Sequence, residues 1–299
     1  MSLPFEPRLK TLLKTQSPHR GVREVLEWAT LPPGKLFRPK LVEALGLDAK
    51  IEHKENLIHL GLALEIHHAY SLVHDDMPCM DNDDLRRGKA ATHKQFGEWR
   101  ALLAGDVLLA MSYAELENIE SSHASQIRKI FHWATGPKGL ILGQWIDLGL
   151  EGVNSPATLL RMHELKTARL MQVAALCTAA LSQKLTYTST KAALRLGSQI
   201  GLVFQLLDDL DDLTAAEISA HEQEVNPFLL APEVMTTRLD KLITGLTAAL
   251  ATHPHTKAFL VSFLRQSALG ILSQKEMIRK RLPGVSEKLQ ALLTSGVFV

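Results

Sequence analysis

The sequence predicts an all-α protein, a single domain of about ten or more helices, and three observations predict it. Leu and Ala dominate while aromatic residues are only 5% of the chain, so the propensity balance favours helix. Alternating β-branched segments are hard to find. Apolar residues recur instead at three- and four-residue steps between well-placed breakers.

The periodic stretches run in order. Leu60, Leu64, His67, His68 and Leu72 lie on one repeat, Leu102, Leu103, Val107 and Met111 on a second, and Leu159, Met162, Leu165 and Leu170 on a third. Between them stand Pro32-Pro33-Gly34, Pro78, Gly136-Pro137, Ser155-Pro156, Asn226-Pro227 and His253-Pro254, where helices should stop or start. A length of 299 residues allows one large or two small domains. No repeat of about 20 to 50 residues and no Gly/Ser linker divides the chain, so one domain over 1–299 is expected. Residues from about 268 onward read as an extra helical tail.

Composition narrows the function classes. With 33 basic and 32 acidic residues the formal charge is +1, which supplies none of the field that a nucleic-acid backbone or an anionic membrane needs. Cys79 and Cys177 form neither a multi-bridge framework nor a CxxC pair, which fits a reducing, cytoplasmic compartment. The start MSLPFEPRLKTLLK lacks a secretory pattern, and no uncharged run reaches a membrane span.

Two acidic clusters carry the chemistry. HDDMPCMDNDDLRRG holds Asp75, Asp76, Asp81, Asp83 and Asp84, and FQLLDDLDDL holds Asp208, Asp209, Asp211 and Asp212. Like charges this dense destabilise a helix by a few tenths of a kcal/mol per pair, roughly. A cation should therefore bind there. Asp208 and Asp212 are i and i+4, hence on one helix face. Asp75 and Asp81 would be about 600° apart on an unbroken helix, but Pro78 lets a loop return Asp81 to Asp75. All-oxygen ligands suit Mg²⁺ shared with phosphate better than Zn²⁺. The matching anion contacts are Lys35 and Arg38 in PGKLFRP, Arg86 and Arg87, and Lys166-Thr167 in HELKTARL.

From about Gly34 to Leu213 these residues resemble the trans-isoprenyl diphosphate synthases, or polyprenyl synthetases, most like the bacterial short-chain farnesyl diphosphate synthases. GKLFRP is similar to the family's GKxxRP, Asp75-Asp76 with Asp81 to its first aspartate-rich motif in the DDxxxxD form, and Asp208-Asp209 with Asp212 to its second, DDxxD. GQWIDL and Lys166-Thr167 match as well.

The resemblance implies an isoprenoid synthase fold, a helical bundle around a deep central cavity with the two acidic helices facing across its mouth. It implies a cytoplasmic homodimer and an Mg²⁺-dependent head-to-tail (1'-4) condensation of isopentenyl diphosphate with dimethylallyl or geranyl diphosphate, through an allylic carbocation. About three Mg²⁺ ions would be held by Asp75, Asp81 and Asp208, with Asp76, Asp209 and Asp212 in support. Arg86, Lys166, Thr167 and Gln205 would touch the allylic substrate, and Lys35, Arg38, His68 and Arg87 the diphosphate of isopentenyl diphosphate.

Residues four and five before the first aspartate, Ser71 and Tyr70, would set the chain length. Five helical residues rise roughly 7.5 Å, which puts the Tyr70 ring little more than one turn below the metals and favours farnesyl diphosphate (C15) over geranyl or geranylgeranyl diphosphate. One departure stands out. LTAAEISAHEQEVNP, after the second motif, is shortened and has no lysine where the family places one on the diphosphate. That favours a low-activity regulatory subunit, while the intact aspartates oppose it. An HD-type metal phosphohydrolase, built on His67 and His74-Asp75, leaves GKLFRP and the second cluster unexplained. A class I terpene cyclase would carry an Asn/Ser/Glu-type second motif.

Overall fold

The breakers begin helices more often than they end them. In the computed structural model, which describes residues 2–149, 155–182, 185–218, 223 and 225–298, Pro156, Pro227, Pro232 and Pro254 each occupy a first helical position. There the missing N–H costs nothing and the fixed φ is already helical. Ser155 and Asn226 cap two of these starts with their side chains. Part of the lysine-free stretch, residues 219–222 and 224, lies outside the described residues.

Packing divides the chain into two compact units, 1–129 with 180–184, and 130–179 with 185–299. The first contains α1 (Phe5–Gln16), α2 (Arg20–Thr30), α3 (Phe37–Asp48), α4 (Lys54–Asp75), a hairpin of β1 (Leu85–Arg86) and β2 (Lys89–Ala90), α5 (Thr92–Phe96) and α6 (Glu98–Glu117). Its axis is the pairing of α4 with α6, on which α1, α2 and α3 lie. The core joins Phe5, Leu9 and Leu13 of α1 with Ile58, Leu62, Ile66, Tyr70 and Val73 of α4 and Ala104, Leu108 and Met111 of α6.

The periodic stretch around Leu102 to Met111 lies within α6. Leu102 and Leu103 are 48% and 52% exposed, because the face that meets α4 is the one carrying Ala101, Ala104, Gly105 and Leu108. Small side chains let the two helices approach. The hairpin is the one strand pair among the described residues, and it exists because Arg87 and Gly88 both take positive φ, +54° and +78°. Two such residues form the tight turn that matches strand twist.

α7 (Ala124–Thr135) crosses the unit boundary. The second unit contains α8 (Leu140–Gly149), α9 (Pro156–His163), a π turn (Glu164–Ala168), most of α10 (Arg169–Ser182), whose last three residues belong to the first unit, α11 (Tyr187–Asp212), α12 (Pro227–Leu230), α13 (Pro232–Ala249), α14 (Pro254–Ser273), α15 (Lys275–Arg281) and α16 (Ser286–Leu293). α11 packs on the π turn, α13 and α14, and α8 on the π turn and α9. Among the described residues no helix is long and apolar enough to cross a membrane.

Close approach to the π turn depends on Gly143. A Cβ there would lie 2.4 Å from the Lys166 backbone nitrogen and 2.8 Å from the Leu165 carbonyl carbon. Backbone cannot swing aside as a side chain can. Gly143→Ala should therefore destabilise by about 1–3 kcal/mol through overpacking, against a gain of about 1 kcal/mol in helix propensity. Thermal unfolding checks it, and a raised Tm would contradict the packing.

Candidate active site

The first acidic cluster begins where α4 ends. Asp75 is the last residue of the helix, and the chain then folds into turns in which Met80 and Asn82 both donate to the Met77 carbonyl, at 2.9 and 3.1 Å. The Asp81 amide donates to the Asp75 carbonyl at 2.9 Å. Asp81 thus returns beside Asp75.

Asp76, Asp83 and Asp84 each have a basic partner. Asp76, 2% exposed, accepts from Arg86 Nε at 2.8 Å and from Arg86 Nη2, which also reaches Asp83 at 2.7 Å. Asp84 pairs with Lys94 at 2.7 Å. Burial works to lower the Arg86 guanidinium, but its hydrogen bond to Asp76 and the charges of Asp76, Asp83 and Asp75 outweigh it, so Arg86 is held above its ordinary value.

A cationic pocket lies along the same helix. Arg38, in the first turn of α3, and His68 of α4 meet the hairpin's Arg87, whose guanidinium rests against Gly34: a Cβ on Gly34 would be 3.0 Å from it. Burial and the nearby Arg87 lower the Arg38 guanidinium to about 10, with Glu65 opposing. The Arg38 Nε is buried with no hydrogen-bond partner. Burial, then the charges of Arg38, Arg87 and Arg86, push His68 well below the usual imidazole value, so it is neutral at pH 7. Beneath sits Glu65, 6% exposed. Lys35 is exposed in the loop before α3, where its carbonyl accepts Lys40 Nζ at 3.0 Å. The hairpin is pinned by Lys89, which donates to the Leu31 carbonyl at 2.7 Å.

Tyr70 and Ser71 precede the cluster on α4. Tyr70 is 8% exposed, and its ring meets His67 edge-on at 4.7 Å and His74 at 5.3 Å. Ser71 Oγ donates to the His68 carbonyl at 3.0 Å. His67 is fully buried beside Ser112 Oγ, 3.1 Å from its Nδ1, and His74 Nε2 is 3.0 Å from the Leu102 carbonyl oxygen.

In the second unit three of the sequence-predicted residues, Thr167, Gln205 and Asp209, are linked by hydrogen bonds, and Lys166 has its own partner. Lys166 and Thr167 lie in the π turn, a form that often marks functional sites. Lys166 Nζ donates to Asp147 of α8 at 2.5 Å. Thr167 donates to Gln205 Oε1 at 2.7 Å, and Gln205 donates to Asp209 Oδ1 at 3.0 Å. Asp209 Oδ2 lies 3.3 Å from His163 Nε2. Asp209 therefore faces inward, while Asp208 and Asp212 are exposed at the helix end.

Among the described residues no three His, Cys, Asp or Glu side chains form a ready metal cage. The carboxylate oxygens of Asp75 and Asp81, and of Asp208 and Asp212, nonetheless fit Mg²⁺, which takes one or two protein carboxylates and fills its sphere with water and phosphate.

Several partners were not singled out in the sequence. Glu65 and Asp147 could have been, as lone acids inside the apolar runs LALEIHHAYSLV and LILGQWIDLGL. His163 and Asn226, whose Nδ2 donates to the Asp209 carbonyl at 2.8 Å, have no local signal.

Residues 19–223 match the polyprenyl synthetase family. The chain belongs to that family. This polyprenyl synthetase, and hence prenyltransferase, is 35% identical over 238 residues to the farnesyl diphosphate synthase of Bacillus subtilis, covering 72% of this chain and 79% of that one. It is 36% identical over 207 residues to geranylgeranyl pyrophosphate synthase 12 of Arabidopsis thaliana, covering 65% of this chain and spanning about half, 56%, of that one. A solved structure of the Helicobacter pylori geranyltransferase, complexed with magnesium and isoprenyl diphosphate, superposes with a TM-score of 0.63 at 27% identity, covering 98% of this chain and 97% of that one.

His67 gives the polyprenyl synthetase a pH-dependent stability. Burial, helped by Arg38, lowers its pKa from 6.5 to about 3. As pH falls below 6.5 the unfolded chain takes a proton that the folded chain refuses, so this contribution is complete above pH 6.5 and is lost progressively toward pH 3. The unfolding midpoint should drop between pH 6.5 and 5, and His67→Leu should flatten part of that slope. A midpoint independent of pH over this range would be the contrary result.

Proposed function

We propose that this prenyltransferase joins isopentenyl diphosphate to dimethylallyl or geranyl diphosphate, head to tail, to give farnesyl diphosphate. One observation carries the reading. Helix α4 bears a cationic pocket at His68, with Arg38 and Arg87, and an acidic loop at Asp75 and Asp81. Two diphosphates that must be bound differently call for that pairing: one held directly by cations, the other through a metal.

The roles follow from charge. Lys35, Arg38, His68 and Arg87 hold the diphosphate of isopentenyl diphosphate, and the Arg38 Nε gains the acceptor it otherwise does without. Asp75, Asp81 and Asp208 are assigned to Mg²⁺, with Asp212 in support. Asp76 and Asp209 serve as supports for Arg86 and Gln205. Bound Mg²⁺ supplies the charge neutralisation that makes diphosphate a competent leaving group.

Arg86 and Lys166 add fixed positive charge where the leaving oxygens develop theirs, and the carboxylates of Asp76 and Asp147 keep both side chains aimed. The oxygens of Thr167 and Gln205 offer dipoles to an allylic cation without a nucleophilic amine. The double bond of isopentenyl diphosphate attacks that cation, and the proton then lost goes to the departed diphosphate. Apolar surroundings keep water from the cation. We assign the enzyme to the cytoplasm as a homodimer.

Incubation with Mg²⁺, isopentenyl diphosphate and dimethylallyl or geranyl diphosphate should give chain extension to C15. Hydrolysis alone, a cyclic hydrocarbon, or no product would each refute this reading, the last in favour of a regulatory subunit. Because relatives of farnesyl and of geranylgeranyl specificity are similarly close, chain length rests on Tyr70. Tyr70→Ala should shift the product toward C20 on chromatography, and an unchanged distribution would remove Tyr70 from the floor.

A further inference from the structure

The helix that carries the second acidic cluster ends in four carboxylates. Asp208, Asp209, Asp211 and Asp212 occupy its last turn and a half, at the negative end of the helix dipole, where the last carbonyls have no partner within the helix. The stretch that follows, 213–227, contributes no lysine.

The answering cation comes from the C-terminal tail. Arg281, the last residue of α15, donates from Nη1 to the Leu213 carbonyl and from Nη2 to the Ala216 carbonyl at 3.1 Å. One planar guanidinium thus closes the cap residue of α11 and the turn beyond it, a fork that a lysine cannot reproduce. Its base is firm. Ile278 and Leu282, on either side, are each 3% exposed, and Ile278 lines a small apolar hollow with Leu210 of α11. The tail lies beyond residue 223, where the family match stops.

We infer that Arg281 is a positioning residue for the second acidic cluster, holding the end of α11 so that Asp208 and Asp212 are presented to a metal-bound diphosphate. This rests on the reading of those two aspartates as metal ligands. It gives the tail a task and supplies a charge that the lysine-free stretch lacks, though at backbone carbonyls and not on the substrate.

The test compares wild type with Arg281→Gln and Arg281→Lys, using Mg²⁺ and inorganic pyrophosphate so that no turnover is needed. In Arg281→Gln, amide exchange in peptides covering 208–217 should run roughly ten-fold faster. The Mg²⁺ concentration giving half of the pyrophosphate-dependent rise in Tm should increase by about five- to ten-fold, an estimate from one lost charge-assisted contact. Arg281→Lys, which keeps the charge and loses the fork, should fall between, and it also serves if the glutamine variant does not fold. Arg279→Gln, at an exposed neighbour on the same helix, should match wild type. Unchanged exchange and an unchanged Mg²⁺ requirement would overturn the inference, as would a lower Tm with neither of those shifts. A wild-type protein that shows no Mg²⁺-pyrophosphate effect would instead defeat the metal reading itself.

Discussion

Carboxylates crowded at the negative ends of helices need cations, and much of this molecule is arranged around that need. α4 and α11, at 22 and 26 residues the longest helices among the described residues, both finish in aspartates. A misplaced charge at a helix end costs about 0.3–1 kcal/mol, and neighbouring like charges add to it. Arg86 answers Asp76 and Asp83, Lys94 answers Asp84, and Arg281 closes the end of α11. Asp75 with Asp81, and Asp208 with Asp212, present oxygens of the kind a hard divalent ion takes.

The cationic pocket poses the opposite problem. Arg38 is crowded by Arg87, and His68 by Arg38, Arg87 and Arg86, and burying such charges without counterparts costs on the order of several kcal/mol per ion in a low-dielectric interior. Glu65 offsets part of this from below, and His68 avoids it by staying neutral. An anion of the kind proposed above would add the missing negative charge and give the buried Arg38 Nε an acceptor.

Backbone geometry does the remaining placement. The π turn puts Lys166 toward Asp147 and Thr167 toward Gln205 from adjacent positions, which differ in direction more than one regular turn requires. Gly143 lets α8 come close enough for Asp147 to serve as the partner. The hairpin turn at Arg87-Gly88 likewise sends Arg86 to the acidic loop and Arg87 to the cationic pocket.

Fold class, helix starts at proline and the two acidic clusters were legible because each rests on neighbours in the chain: propensity, a missing N–H, and like charges side by side. Pro78 even foretold the return of Asp81. The spacing of Leu102, Leu103, Val107 and Met111 foretold the helix α6, but not which of its apolar residues are covered, since Leu102 and Leu103 stay exposed and Met111 is buried. Which aspartate turns inward, as Asp76 and Asp209 do, and which arginine crosses 68 residues to cap a helix, as Arg281 does, were decided by tertiary structure alone. Those partners are brought together by burial of apolar surface, a force without direction, and no local pattern records where it sets them down.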